Sequence, residues 1–256
     1  MRAVSFAFVS SSGRHARLDA LRGAAIVWMA IFHFCFDLNY YGYFSPRQQF
    51  QVDPFWTMQR ACIVTLFLFC AGLGQAVALQ AGQSWPRFWR RWAQVAGCAV
   101  LVSAGSALMF PRSWISFGVL HGIAVMLVVV RLIAPPLLAR GAAGLGALLM
   151  LGALALALPR WIHHSMFDSR WTNWTGLVTR LPLTEDYVPV LPWLGVLLWG
   201  VAAGTWVLRQ RPAWMAGGLP GLARPLALLG GWSLSFYMLH QPVLIGGILA
   251  WKALTG

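Results

Sequence analysis

The sequence predicts an all-α fold, a polytopic transmembrane helical bundle of about seven spans. Three observations predict it. Hydrophobic residues make up 59% of the 256-residue chain. Only 19 basic and 6 acidic side chains are present, where a soluble domain carries roughly a quarter charged residues. Apolar stretches of membrane-spanning length recur, separated by Arg, Pro and Gly. With so few charges the chain cannot clothe a globule in water-compatible side chains, so lipid must serve as part of its solvent. The 15 Trp suit two interfacial belts.

The expected spans, in order, are Leu21–Tyr41, Phe55–Leu79, Gln94–Phe110, Trp114–Ile133, Leu145–Pro159, Val188–Leu208 and Leu226–Trp251. Each approaches the 20 or so residues needed to cross about 30 Å of hydrocarbon, the fifth being the shortest. No internal repeat or low-complexity linker divides them, so residues 18–256 read as one membrane domain behind a tail of residues 1–17. The apolar stretch in that tail precedes Arg14 and Arg17, the reverse of a secretory leader, and an uncleaved cytoplasmic tail is expected.

Orientation follows from the basic residues on alternate sides. The tail and the second, fourth and sixth connections hold eleven, and the opposite side holds seven together with Asp53, Asp168, Glu185 and Asp186. A cytoplasmic N-terminus is expected. The formal charge of +13 lies in short clusters between apolar runs, which suits topology and anionic lipid rather than nucleic acid. Cys35, Cys62, Cys70 and Cys98 all fall in apolar runs without metal-ligand spacing, so neither a metal site nor a disulfide framework is expected. The long connection from Arg160 to Tyr187 is either functional or an interfacial helix carrying Trp171 and Trp174.

Ionisable residues within a span are costly and mark candidate sites. The first span carries Asp19, Arg22, His33, Asp37 and Asn39. Arg22 and His33 are almost three whole turns apart and share a face, and Asp37 follows His33 by four, within reach of its ring. A carboxylate there orients an imidazole for general-base work. His33 is expected about 18 Å from the cytoplasmic edge, His240 about 21 Å from it, and His121 about 10 Å from the outer end of its span. Three histidines thus share a depth, and for each of them a packing role is the plain alternative. Ser233 and Tyr237 share a helical face with His240. Arg60, about 7 Å below the outer edge, meets either headgroups or an anionic substrate group. Gly118 and Gly122 beside His121 permit close approach of another chain segment.

The stretch Arg17 to Asn39, RLDALRGAAIVWMAIFHFCFDLN, resembles the opening helix of the heparan-α-glucosaminide N-acetyltransferase catalytic-domain family, whose bacterial members are short. The resemblance continues through PRSWISFGVLHGIAVML around His121 and DYVPVLPWLGVLLWG around Trp193. It ends in SLSFYMLHQPVL around His240, which looks like the closing helix of bacterial membrane sugar acyltransferases. The resemblance implies transfer of an acetyl group from acetyl-CoA to an amine or hydroxyl of an extracytoplasmic glycan, in the bacterial inner (plasma) membrane. It implies an active-site histidine on the non-cytoplasmic side. This chain has no equivalent of the lysosomal member's loop histidine, so the role passes to His33.

The site expected on these grounds has His33, Asp37, His121 and His240 as catalytic residues, with His33 acting as base or nucleophile. Asn39, Arg60, Tyr237, Asp186 and Trp193 are expected to bind the acceptor, with His121, Tyr237 or Asn39 as oxyanion donors. Arg22, Arg90 and Arg91, with Arg87, are expected at the CoA phosphates, lipid anchoring being the plain reading of the last three. Other readings of the same histidines are a transporter or flippase, a haem-binding membrane protein, and a structural subunit, with the oligomeric state left open.

Overall fold

The computed structural model describes residues 15–255, and the basic tail residues Arg2 and Arg14 lie outside that range. Among the described residues the regular structure is all helical, apart from one isolated bridge between Phe117 and Tyr187. Seven helices are long and apolar enough to cross a membrane. In chain order the α-helices are α1 (Ala16–Tyr40), α2 (Pro54–Gln80), α3 (Trp85–Met109), α4 (Val119–Leu138), α5 (Ala142–Ala157), α6 (Val190–Gln210), α7 (Pro212–Ala216), α8 (Arg224–Gly231) and α9 (Ser233–Thr255).

Helix starts follow from local chemistry. The Asp53 carboxylate accepts from the Phe55 N–H at 2.8 Å and Pro54 occupies the first position of α2, where a missing N–H costs nothing. Three boundaries differ from the sequence expectation. Helix α3 begins nine residues early, because Pro86 is tolerated in a first turn, so Arg87, Arg90 and Arg91 are helical rather than loop residues. Helix α4 begins only at Val119 and runs on through Pro135 and Pro136 to Leu138, which places Arg131 inside it.

The third difference is the largest. The expected seventh span is two helices of opposite sense, broken at Trp232. Helix α8 lies antiparallel to the start of α1: a methyl on Gly23 would strike the Leu226 backbone, and one on Gly230 would strike that of Asp19. Helix α9 then turns back and runs alongside α1, so that His240 meets His33 and Gln241 meets Asp37. Apolar periodicity alone does not show a reversal, because both helices are apolar.

The core lies where α2, α4, α5 and α6 meet, around Leu68, Met126, Leu148, Leu197 and Val201, each fully buried. Lipid provides no hydrophobic drive between helices, so close backbone contact must hold them. Glycines allow it: a methyl on Gly72 would overlap the Leu197 carbonyl, and one on Gly200 the Phe69 carbonyl. The four cysteines are free thiols, with Cys70 packed in the core.

On the face away from the start of α1, two connections are ordered. Residues 41–53 fold back over α1 and α2, with Phe50 buried and stacked on Trp56 at 4.0 Å. The long connection before α6 forms only three-residue 3-10 turns, so the interfacial helix considered for it is absent. It is pinned to the α3–α4 connection through Glu185 and Ser113, through Thr184 Oγ1 donating to the Trp114 carbonyl at 3.1 Å, and through the Phe117–Tyr187 bridge. Regular helix there would forfeit these cross-connections.

Candidate active site

Two imidazoles meet where α1 passes α9. Nδ1 of His33 lies 2.6 Å from Nε2 of His240. The ring centroids are 4.9 Å apart and the planes differ by 15°. So short a nitrogen–nitrogen distance with so wide a centroid separation means that the rings meet edge to edge, in line, rather than face to face.

The proton positions follow from the neighbours. Nδ1 of His240 lies 2.7 Å from the Tyr237 carbonyl oxygen, which only accepts, so that nitrogen carries a hydrogen. A neutral His240 then presents a bare Nε2 and must accept from His33 Nδ1–H. Neutral His33 is left with its lone pair on Nε2. The arrangement is a relay in which His240 fixes the tautomer of His33 and a helix carbonyl fixes that of His240.

Asp37 is buried, and its carboxylate takes both oxygens' bonds from one amide, Gln241 Nε2 at 2.8 and 3.1 Å. The expected His33–Asp37 pair is therefore replaced by two cross-helix pairs, His33–His240 and Asp37–Gln241. The i, i+4 spacing put both side chains on one face, but the partners offered by α9 lie across the helix seam in better line. Gln241 was not singled out from the sequence, and its only signal was its place directly after His240.

The remaining expected residues divide. His121 does not join the pair. Its Nδ1 accepts from the Gly118 N–H at 3.2 Å, and its Nε2–H donates to Ser103 Oγ at 3.1 Å, which itself donates to the Ile115 carbonyl at 2.6 Å. Both nitrogens are engaged in capping α4 and tying it to α3, the packing alternative. Asn39 is also engaged: it donates to the Gln48 carbonyl at 2.9 Å and accepts the Gln48 N–H at 2.7 Å, clamping the 41–53 connection instead of facing an oxyanion.

Asp186 accepts the Val119 N–H at 2.7 Å, at the positive end of α4, and Gly118 is the residue whose missing side chain makes room for it. Burial pushes the Asp186 carboxyl up, while the Val119 N–H and the charge of Arg60 pull the other way. Arg60 itself is exposed and donates to Gln51 Oε1 at 3.3 Å. Trp193 is half-buried against the α2–α6 core.

Tyr237 and Ser233 line a cavity of about 630 Å³. Arg22, Arg87, Arg90 and Arg91 line it as well. Positions 87, 90, 91 and 94 fall at i, i+3, i+4 and i+7, one stripe of α3, and all four face the cavity. Arg22 bonds Asp19 at 3.1 Å, whereas Arg87, Arg90 and Arg91 make no hydrogen bond or ion pair among the described residues. No acidic side chain lines the cavity. Such a chamber suits a ligand with several negative charges at one end and a less polar segment reaching inward. Among the described residues no group of three His, Cys, Asp or Glu converges as a metal site requires.

The fold is that of a multi-pass helical membrane protein, in which the paired imidazoles do not themselves line the basic chamber and approach it only through Tyr237. The family model for the heparan-α-glucosaminide N-acetyltransferase catalytic domain matches residues 14–242, nearly the whole chain, and the chain belongs to that acyltransferase family. No curated protein and no solved structure matches it.

Proposed function

We propose that this protein is an acetyl-CoA-dependent membrane acyltransferase that acetylates an amine or hydroxyl of a sugar on the far side of the bilayer. The observation that carries the reading is the chamber joining four arginines to Tyr237, the residue whose carbonyl holds His240. The pyrophosphate and 3′-phosphate of CoA match the arginines of the chamber, and the slim pantetheine arm matches its apolar lining at Val119, Leu120 and Leu234. The positive-inside bias supports a cytoplasmic position for the arginines, where acetyl-CoA is made, and with it a bacterial inner membrane with the N-terminus inside.

In this reading His33 Nε2 takes the proton of the acceptor as its oxygen or nitrogen attacks the thioester carbonyl. The C–S bond breaks, and the proton on His33 passes to the departing thiolate. His240 accepts from His33 throughout and spreads the charge of the transient imidazolium toward the Tyr237 carbonyl. Asp37 with Gln241 holds α1 and α9 in register so that the two rings stay in line. Asp186, Arg60 and Trp193 belong to the outer face, where the acceptor arrives.

The same geometry speaks against a haem bound between His33 and His240, because hydrogen-bonded nitrogens 2.6 Å apart leave no room for an iron with a ligand on each side. A transporter would use a helix broken near mid-bilayer. The non-helical residue of α6, Leu191, lies at the helix end instead.

The test is purified protein in nanodiscs with acetyl-labelled acetyl-CoA and glucosamine-type acceptors. Label should appear on the acceptor and vanish in His33→Ala, while CoA still binds that variant. Absence of transfer to every acceptor, together with absence of CoA binding to the unaltered protein, overturns the reading.

A further inference from the structure

Arg131 is used by none of the chemistry above. It stands inside α4 and is only 8% exposed. One of its N–H groups donates to the Gln83 backbone carbonyl in the α2–α3 turn. Its guanidinium carbon lies 4.9 Å from the ring centre of Trp85 and 5.6 Å from that of Phe88. No carboxylate pairs with it among the described residues. A guanidinium has five N–H donors, so most of its capacity is unmatched. A buried cation without a carboxylate is costly unless another anion or water meets it.

A separate cavity of about 410 Å³ provides the place for one. Arg131 lines it with Gln83, Trp85, Leu79, Leu132 and Pro135. Leu132 and Trp85 are exposed on the outer surface of the bundle, so the groove opens toward lipid. The α2–α3 turn marks its depth: α2 ends at Gln80 and α3 begins at Trp85, so the groove sits at the headgroup level on the arginine-rich face. Polar donors lie at the turn, and apolar Leu79, Leu132 and Pro135 lie beside them, where an acyl chain would run.

We propose that this groove holds the phosphate of an anionic phospholipid, gripped by the free N–H groups of Arg131 and flanked by Trp85. The pairing of a fork of donors with a phosphodiester is the geometry guanidinium favours, and basic pockets between membrane helices take such headgroups. Gln83 also lines the large chamber, so a soluble phosphate ligand is the competing occupant.

Native mass spectrometry of the full chain, released from micelles doped with phosphatidylglycerol or phosphatidylcholine, tests it. One phosphatidylglycerol should be retained in preference to phosphatidylcholine, with retention falling at least tenfold in Arg131→Gln and partly restored in Arg131→Lys. Leu132→Glu places a rival carboxylate at the mouth without touching the internal contacts of Arg131, and should lose the lipid even if Arg131→Gln fails to fold. Inorganic phosphate and adenosine 3′,5′-bisphosphate should not displace it. Undiminished retention in Leu132→Glu, no retained lipid in the unaltered protein, or displacement by either soluble phosphate overturns the proposal.

Discussion

His240 hands its bare Nε2 to His33 at 2.6 Å, and so decides which nitrogen of His33 is basic. The carbonyl of Tyr237 decides the same for His240. A catalytic role for the pair requires both steps of that relay.

Removing the base should cost more than removing its support. His33→Ala should abolish transfer. His240→Ala keeps the base but frees its tautomer, and kcat should fall by about 10²-fold, within the range ascribed to general-base catalysis. The KM for acetyl-CoA should be unchanged. Steady-state kinetics separates the two, and an unchanged kcat in His240→Ala would remove the relay from the mechanism.

The Asp37–Gln241 pair should show coupling. Gln241→Leu strips the buried carboxylate of its donor, a loss of about 1–3 kcal/mol. Replacing both, Asp37→Leu with Gln241→Leu, should recover much of that. Thermal unfolding of the singles and the double in one detergent gives the interaction energy, and strict additivity would argue that the bond carries no weight.

Charge in the chamber should act on binding alone. Arg90→Gln and Arg91→Gln should each raise the KM for the donor roughly tenfold, as loss of one charge-assisted hydrogen bond implies. Their kcat should stay near the original. A drop in kcat with KM unchanged would place these arginines elsewhere in the cycle.

Helix packing offers a stability prediction with its own control. Gly200→Val forces a side chain into the Phe69 backbone and should destabilise by about 1–3 kcal/mol. A Cβ added at Gly146 meets nothing within 4 Å, and Gly146→Ala should change the unfolding temperature little.

Acid should loosen the long connection before α6. Asp168 accepts the Thr179 N–H at 2.7 Å and the Thr179 hydroxyl at 2.5 Å, and those bonds hold its carboxyl below the usual carboxylate range. A depressed folded-state pKa means that the contribution is complete above the ordinary Asp value and is lost as pH falls through the lowered one. Hydrogen exchange across residues 160–187 should rise in that acidic window, and in Asp168→Asn it should already be raised at neutral pH.

The seven apolar helices and the helical class were legible in the chain because lipid imposes a length and a composition on anything that crosses it. Arg87, Arg90 and Arg91 fall in a connection by sequence, as CoA-phosphate ligands or lipid anchors; that they form one stripe at i, i+3 and i+4 follows only from α3 starting at Trp85. Spacing also put His33 and Asp37 on one face of α1, yet neither turned to the other. Periodicity describes one helix at a time. Which side chain across the seam wins a given nitrogen or carboxylate depends on the reversal at Trp232, which set α9 beside α1 and brought His240 and Gln241 to it. His121 looks the same in sequence as His240, and only the packing of α3 against α4 supplied the serine and the backbone amide that occupy both its nitrogens. Local composition thus settles which segments enter the membrane, because each segment meets the lipid on its own account. Partners are settled by tertiary contact, because a hydrogen bond answers to distance and direction between helices that the order of residues does not encode.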